Sequence, residues 1–186
     1  MSRFKVGDTF LAGVKTIERI QIGDSRGFLS RIFCAEELRR VGWTRPIAQI
    51  TQSVTSSLGT IRGLHYQQLP HAEMKLVSCT RGEIWDVAVD LRASSPTFLR
   101  WYGERLSAAN RRALLIPEGF AHGFQALTDE CELLYLHSSP HVADAEAGLR
   151  YDDPSLNIAW PREPGEVSAR DMGHALLTSG FKGMTL

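Results

Sequence analysis

The run Lys75-Leu76-Val77-Ser78-Cys79-Thr80-Arg81-Gly82-Glu83-Ile84-Trp85-Asp86-Val87-Ala88-Val89-Asp90-Leu91 holds two apolar segments on either side of a turn at Thr80-Arg81-Gly82. In the second, Trp85, Val87 and Val89 fall on one face and Asp86 and Asp90 on the other, the period-two signature of a β-strand. The pattern continues outward. On the N-terminal side, 61–66 reads as another strand. On the C-terminal side, Ala93-Ser94-Ser95-Pro96 is a turn, followed by candidate strands at 98–106, 111–116, 122–127 and 132–137. Short strands broken this often by Gly, Pro, Asn and Asp predict an all-β sandwich or barrel. Helical pattern is confined to 35–41, stopped by Gly42, and to 169–177, where Gly173 interrupts. The stretch 138–148 reads as a loop and Asp152-Asp153-Pro154 as a turn. With no repeat or linker, residues 1–186 are expected to form one domain.

Composition narrows the functional classes. Lys+Arg and Asp+Glu number 21 each, so no overall field draws nucleic acid or an anionic membrane, and any anion site must be a local cluster. The start of the chain has no signal-peptide pattern, and no apolar run approaches the roughly 18 residues of a membrane span. Cys34, Cys79 and Cys131 are far apart among apolar neighbours, as expected of buried free thiols in a cytoplasmic protein. None sits in a nucleophile motif.

The chemistry-bearing residues interrupt apolar strands. Arg62, Gly63 and His65 stand in one, Lys75 is the only charge in 74–79, and Pro117-x-Gly119-x-x-His122 opens another. Buried cations and imidazoles are costly unless paired or used. Each has an ordinary alternative. His65 could be a core His with one hydrogen bond, and Lys75 an edge-strand guard against aggregation. Tyr135 could be core, and Asp171 a helix cap or solvent-facing. Gly63 is a place where the backbone can turn tightly or approach a ligand. The spacing ending at His122 is that of the second cupin motif, but the earlier strand has only His65 with Gln67 instead of a His-x-His pair. A cavity without metal is therefore expected.

Taken together, the segments resemble the dTDP-4-dehydrorhamnose 3,5-epimerase family. Gly59-Thr60-Ile61-Arg62-Gly63-Leu64-His65-Tyr66-Gln67, 75–79, 82–90, Ser95-Pro96-Thr97-Phe98, 106–110, 116–124, 148–154 and Ser168-Ala169-Arg170-Asp171 match in order from about residue 20 to 171. The resemblance implies a cupin-like jelly roll with a few short peripheral helices, usually a homodimer. It further implies a cofactor-independent isomerase that inverts C3 and/or C5 of a nucleotide-linked 4-keto-6-deoxyhexose through an enolate. On that match His65 is the base, Asp171 its partner, Tyr135 the acid and Lys75 the stabiliser of charge on the C4 oxygen. Arg26, Gln49, Thr51, Arg62, His122, His141, Glu146 and Arg170 fall at substrate-binding positions, and Asp86 is a candidate to orient His122.

Departures cluster around the nucleotide. Arg31 stands where the family commonly has an acidic residue, Gln49-Ile50-Thr51 replaces Gln-x-Asn, Pro140-His141 replaces a Tyr pair, and Arg170 replaces Lys. The proton-transfer set is complete and the nucleotide-contacting set altered, so a different base, sugar or number of inverted centres is the nearest alternative. A metal-dependent cupin enzyme and a non-catalytic sugar-nucleotide-binding jelly roll are the more distant ones.

Overall fold

The computed structural model describes residues 2–186. Two antiparallel sheets carry the fold. One has six strands in the order β1 (Phe4–Asp8), β2 (Lys15–Arg19), β10 (Arg112–Ile116), β7 (Lys75–Arg81), β12 (Cys131–His137) and β5 (Gln49–Thr55). The other has five, in the order β13 (Glu146–Gly148), β6 (Ile61–Gln67), β11 (Phe120–Ala126), β8 (Glu83–Asp90) and β9 (Trp101–Ser107). The hairpin of β3 (Gln21–Asp24) and β4 (Gly27–Ser30) pairs with neither. Helices α1 (Ala35–Arg39) and α2 (Ala169–Met172) are peripheral. This is the all-β architecture expected.

Strand alternation sorts the apolar side chains into three clusters. Val77, Cys79, Ile84, Ala88, Leu114, Phe124 and Leu133 point between the sheets. Leu76, Leu115 and Leu136 point the other way and are covered by Leu38, Trp43 and Phe4. Trp85, Val87 and Val89 form the outer face of the five-stranded sheet, packed by Leu156, Ile158, Trp160 and Phe181 from the C-terminal stretch. The more apolar face of β8 therefore turns away from the other sheet, and Asp86 points inward. Burying an aliphatic side chain of this kind contributes about 2 kcal/mol, so both outer layers hold the sandwich together alongside its centre.

Several boundaries differ from expectation. The strand expected over 98–106 begins only at Trp101, because Leu99 takes a left-handed conformation (φ 61°) in the preceding turn. Strand β7 runs on through Thr80 and Arg81, leaving Gly82 (φ 76°) to make the turn. The helix expected over 169–177 is one turn, ended by Gly173, and α1 stops at Arg39. The expected loop 138–148 contains a 3-10 turn (Ala143–Ala145) and β13, which pairs with β6. Of the cysteines, Cys79 and Cys131 are buried free thiols and Cys34 is only half-buried. Burial, with Cys131 nearby, pushes the Cys79 thiol up to about 12, which removes it as a nucleophile at neutral pH.

Candidate active site

The apolar filling between the sheets stops where the same strands pass Lys75, Tyr135 and His137, and a cavity of about 750 Å³ opens there. Its six-stranded wall carries Gln49, Thr51, Ser53 and Thr55 from β5, Lys75 from β7, and Tyr135 and His137 from β12. Its five-stranded wall carries Arg62 and His65 from β6 and His122 and Phe124 from β11. Strand β7 lies inside its sheet, between β10 and β12, so Lys75 is no edge guard. It is buried and shares the inward face of Val77 and Cys79.

A bulge in β6 makes the second wall possible. Residues three apart on a regular strand face opposite ways. His65 pairs with His122, however, and Arg62 with Phe124, so two residues of β6 stand opposite Gly123 alone. The extra residue returns Arg62 to the face of His65. Gly63 takes φ 126° here, and a Cβ on it would lie 2.5 Å from the Gly123 Cα. The close approach anticipated at Gly63 is thus to a neighbouring strand.

The same Gly63 donates its N–H to Asp171 Oδ2 (3.2 Å), and His65 Nε2 lies 2.7 Å from Asp171 Oδ1. Ser168 caps α2 by accepting the Asp171 N–H, so Asp171 is a buried partner of His65 and not itself the cap. Burial opposes ionisation of Asp171, but the His65 hydrogen bond, the Gly63 N–H and nearby Arg170 outweigh it and hold the carboxyl at about 2. An ionised Asp171 takes the Nε2 proton, leaving Nδ1 as the basic nitrogen of His65. Arg170 Nη2 lies 3.1 Å from the same Nε2. Both are then donors, so that approach is a contact and not a hydrogen bond.

Three further imidazoles in the cavity are held by carboxylates. His122 Nε2 is 2.7 Å from Asp86 Oδ1, as the sequence suggested. Asp86 is fully buried with its second oxygen unpartnered, and burial raises its pKa despite His122 and Lys75. His137 Nδ1 is 2.8 Å from Glu73 Oε2, whose other oxygen is 3.1 Å from Lys75 Nζ. Burial opposes the charge on Glu73, but His137 and Lys75 hold its pKa below the usual value. His141 Nε2 is 3.2 Å from Glu146 Oε2, which also accepts from Arg170 (3.0 Å). Tyr135 packs edge-on to His122, and burial raises its phenol pKa.

Gln49 Oε1 accepts the His141 N–H (3.1 Å) and Gln49 Nε2 donates to Thr51 (2.9 Å), tying the 140–142 segment to the cavity rim. Arg62 donates to Thr55 Oγ1 (3.0 Å) and the Val54 carbonyl. All the expected site residues but one line this cavity. Arg26 does not: it sits at the tip of the exposed β3–β4 hairpin, paired with Asp24. Sequence reasoning missed Glu73 and the role of His137 as its partner. The signal was available, since Glu73 lies two residues before Lys75, the cation that opens β7, on the same face if the chain is extended there.

The charge balance is informative. Among the described residues, Lys75 is neutralised by Glu73 and Arg170 by Glu146, which leaves Arg62 as the lining cation without a carboxylate partner. As for metals, ring nitrogens of His65 and His174 and a carboxylate oxygen of Asp171 lie within 4.8 Å of one another. That set differs from the cupin His-x-His arrangement, and two of its ligands are already hydrogen-bonded together.

Comparison with known proteins identifies the family. The family model described as dTDP-4-dehydrorhamnose 3,5-epimerase matches residues 8–179. A dTDP-4-dehydrorhamnose 3,5-epimerase of Shigella flexneri is 44% identical over 165 residues, covering 88% of this chain and 91% of that one. A dTDP-4-dehydrorhamnose 3-epimerase of Streptomyces niveus is 39% identical over 168 residues, covering 90% and 81%. The crystal structure of dTDP-4-dehydrorhamnose 3,5-epimerase from Bacillus anthracis, with TDP and PPi bound, superposes with a TM-score of 0.90 at 40% identity, covering 94% and 99%. With its two-sheet architecture, its lined cavity and this likeness over nearly its whole length, the chain belongs to the dTDP-4-dehydrorhamnose 3,5-epimerase family.

Proposed function

We propose that this protein epimerises a dTDP-linked 4-keto-6-deoxyhexose at the carbons flanking the ketone. The observation that carries the reading is the carboxylate-held imidazole of His65 on one wall of the cavity with Tyr135 on the other. The ketone acidifies its neighbouring C–H bonds. His65 Nδ1 removes the proton, and Asp171 stabilises the imidazolium that forms. The C–H electron pair passes into an enolate whose oxygen faces the Lys75 ammonium. Tyr135 then returns a proton from the opposite face, and the configuration inverts. The ketone itself is the electron sink, so the reaction calls for no cofactor. His141, Glu146 and Arg170 form the base-recognition end, and Arg62 with Gln49 and Thr51 contacts the diphosphate and sugar.

A diphosphate carries more charge than Arg62 alone can balance, and this supports a homodimer in which Arg26 of one chain reaches the cavity of its partner. The surface fits that assembly. Edge strand β5 turns its polar side chains inward and leaves Ile50 (61%) and Val54 (50%) exposed, while the hairpin exposes Phe28 (67%) and Leu29 (75%). No helix among the described residues is long and apolar enough to cross a membrane. Catalysis in the cytoplasm, where free thiols persist, is part of the same proposal.

Incubation with dTDP-4-keto-6-deoxyglucose in D₂O, followed by NMR, tests the reading. Deuterium at C3 and C5 is the expected result, label at one carbon identifies a mono-epimerase, and no label with dTDP-, CDP-, UDP- or GDP-linked substrates overturns it. Titration with the free nucleotides then reads the base preference set by His141 and Arg170.

A further inference from the structure

His137 and Glu73 have no part in the scheme above, yet their placement repeats its central device. His137 lies two residues from Tyr135 on β12, on the same inward face, with ring centroids 5.9 Å apart and planes inclined by 23°. Glu73 fixes its Nδ1 at 2.8 Å and is itself paired with Lys75, leaving Nε2 without a hydrogen bond to the described protein. The side chains of Glu73 and His137 are 9% and 15% exposed. A histidine that only filled the core would need one neutral hydrogen-bond partner. An ionised carboxylate buried beside it costs desolvation that apolar packing would avoid. The pair thus mirrors His65 and Asp171 from the opposite wall.

We propose that His137, oriented by Glu73, is a second proton donor on the Tyr135 wall, and that the two side chains divide the carbons flanking C4 between them. The proposal rests on the epimerase reading. Those carbons lie on either side of the ketone, so one fixed donor cannot stand over both without the sugar shifting. Two donors stacked along a strand can each face one. In the step assigned to His137, His65 Nδ1 takes the proton from carbon and the C–H pair becomes the enolate. As the ketone re-forms, the carbon takes the proton from Nε2 of the His137 imidazolium, whose Nδ1–H stays on Glu73. His137 ends neutral and His65 protonated, and exchange with water restores both. No oxidant or reductant enters.

The test is the ratio of label rates at C3 and C5 in D₂O, which does not depend on how much of a variant is correctly folded. With wild type, His137→Gln, His137→Asn and Tyr135→Phe compared on the same 4-keto substrate, both His137 variants should shift the ratio at least 10-fold one way. Tyr135→Phe should shift it the other way. Affinity for dTDP should stay within about threefold, because nucleotide contacts are untouched. A ratio unchanged in the His137 variants, whatever their absolute rate, sinks the division of labour. Wild type labelled at only one carbon also sinks it, since no second carbon is left to assign. If wild type labels neither carbon, the epimerase reading itself fails and takes this inference with it.

Discussion

Asp171 decides which nitrogen of His65 is basic, and that single hydrogen bond fixes the direction of the proposed chemistry. In Asp171→Asn the amide can still accept from Gly63, but it turns an N–H towards His65 Nε2. The ring then adopts the other tautomer and loses the free Nδ1 lone pair. Activity should fall about 1,000-fold or more with little change in dTDP affinity, as read from kcat/KM and a nucleotide titration. The same substitution has a signature in stability. Asp171 is held at about 2 in the folded protein, below its unfolded value near 3.9, so its contribution is complete above about pH 4. That contribution, on the order of 1–2 kcal/mol, is lost as pH falls towards 2. The gap in urea midpoint between wild type and Asp171→Asn should therefore shrink as pH falls from about 4 towards 2. A gap that stayed the same or widened between about pH 4 and pH 2 would mean that Asp171 is not held ionised by its neighbours. At this scale the sequence is nearly mute on its own. His65 and Asp171 are separated by 106 residues, and each taken singly has an ordinary reading. Only the ordered set of motifs joined them. Glu73 escaped because the strand reading began at Lys75, two residues too late to ask what its cation faced.

Period-two alternation recovered β7, β8, β10, β11 and β12, because each is flanked by turn residues and buries at least one face. It could not recover β13, which has three residues and exists only through its pairing with β6. Nor could it foresee the β6 bulge, since alternation alone puts Arg62 and His65 on opposite sides of the sheet. The bulge depends on glycine. At Gly63 an alanine would meet both a left-handed backbone (φ 126°) and the Gly123 Cα at 2.5 Å. Strain and overpacking together should cost about 3 kcal/mol. Gly27→Ala in the β3–β4 turn is the matched control: it has φ 132° but nothing within 4 Å of the added Cβ. Chemical denaturation should show Gly63→Ala destabilised well beyond Gly27→Ala. Its activity should fall further than the lost stability explains, because Arg62 and His65 are displaced together. Equal stability of the two variants would mean that the β6–β11 approach is not a fixed feature of the wall.

Across the whole molecule the unresolved balance is electrical: among the described residues Arg62 lines the cavity without a carboxylate partner, while Arg26 stands on a hairpin that pairs with neither sheet. The Arg26–Asp24 pair is exposed, and exposed pairs contribute little, so Arg26 is free to exchange Asp24 for a phosphate. In a two-fold dimer the hairpin of one chain would complete the cavity of the other, with Phe28, Leu29, Ile50 and Val54 covered in the process. Mixing two defective variants distinguishes this from a hairpin that folds back on its own chain. Arg26→Ala leaves His65 intact but deprives the partner of its arginine, and His65→Asn does the reverse. When the two are unfolded together, refolded at equal amounts and allowed to pair, half the dimers should be mixed. Each mixed dimer then holds one cavity with both His65 and a donated Arg26, and one cavity with neither. The mixture should recover about a quarter of wild-type activity from two nearly inactive proteins. If Arg26 serves its own chain, every cavity in the mixture lacks one group or the other and no activity returns. Sedimentation of the same samples would show whether dimers had formed, so recovery without dimers would exclude subunit sharing as its cause.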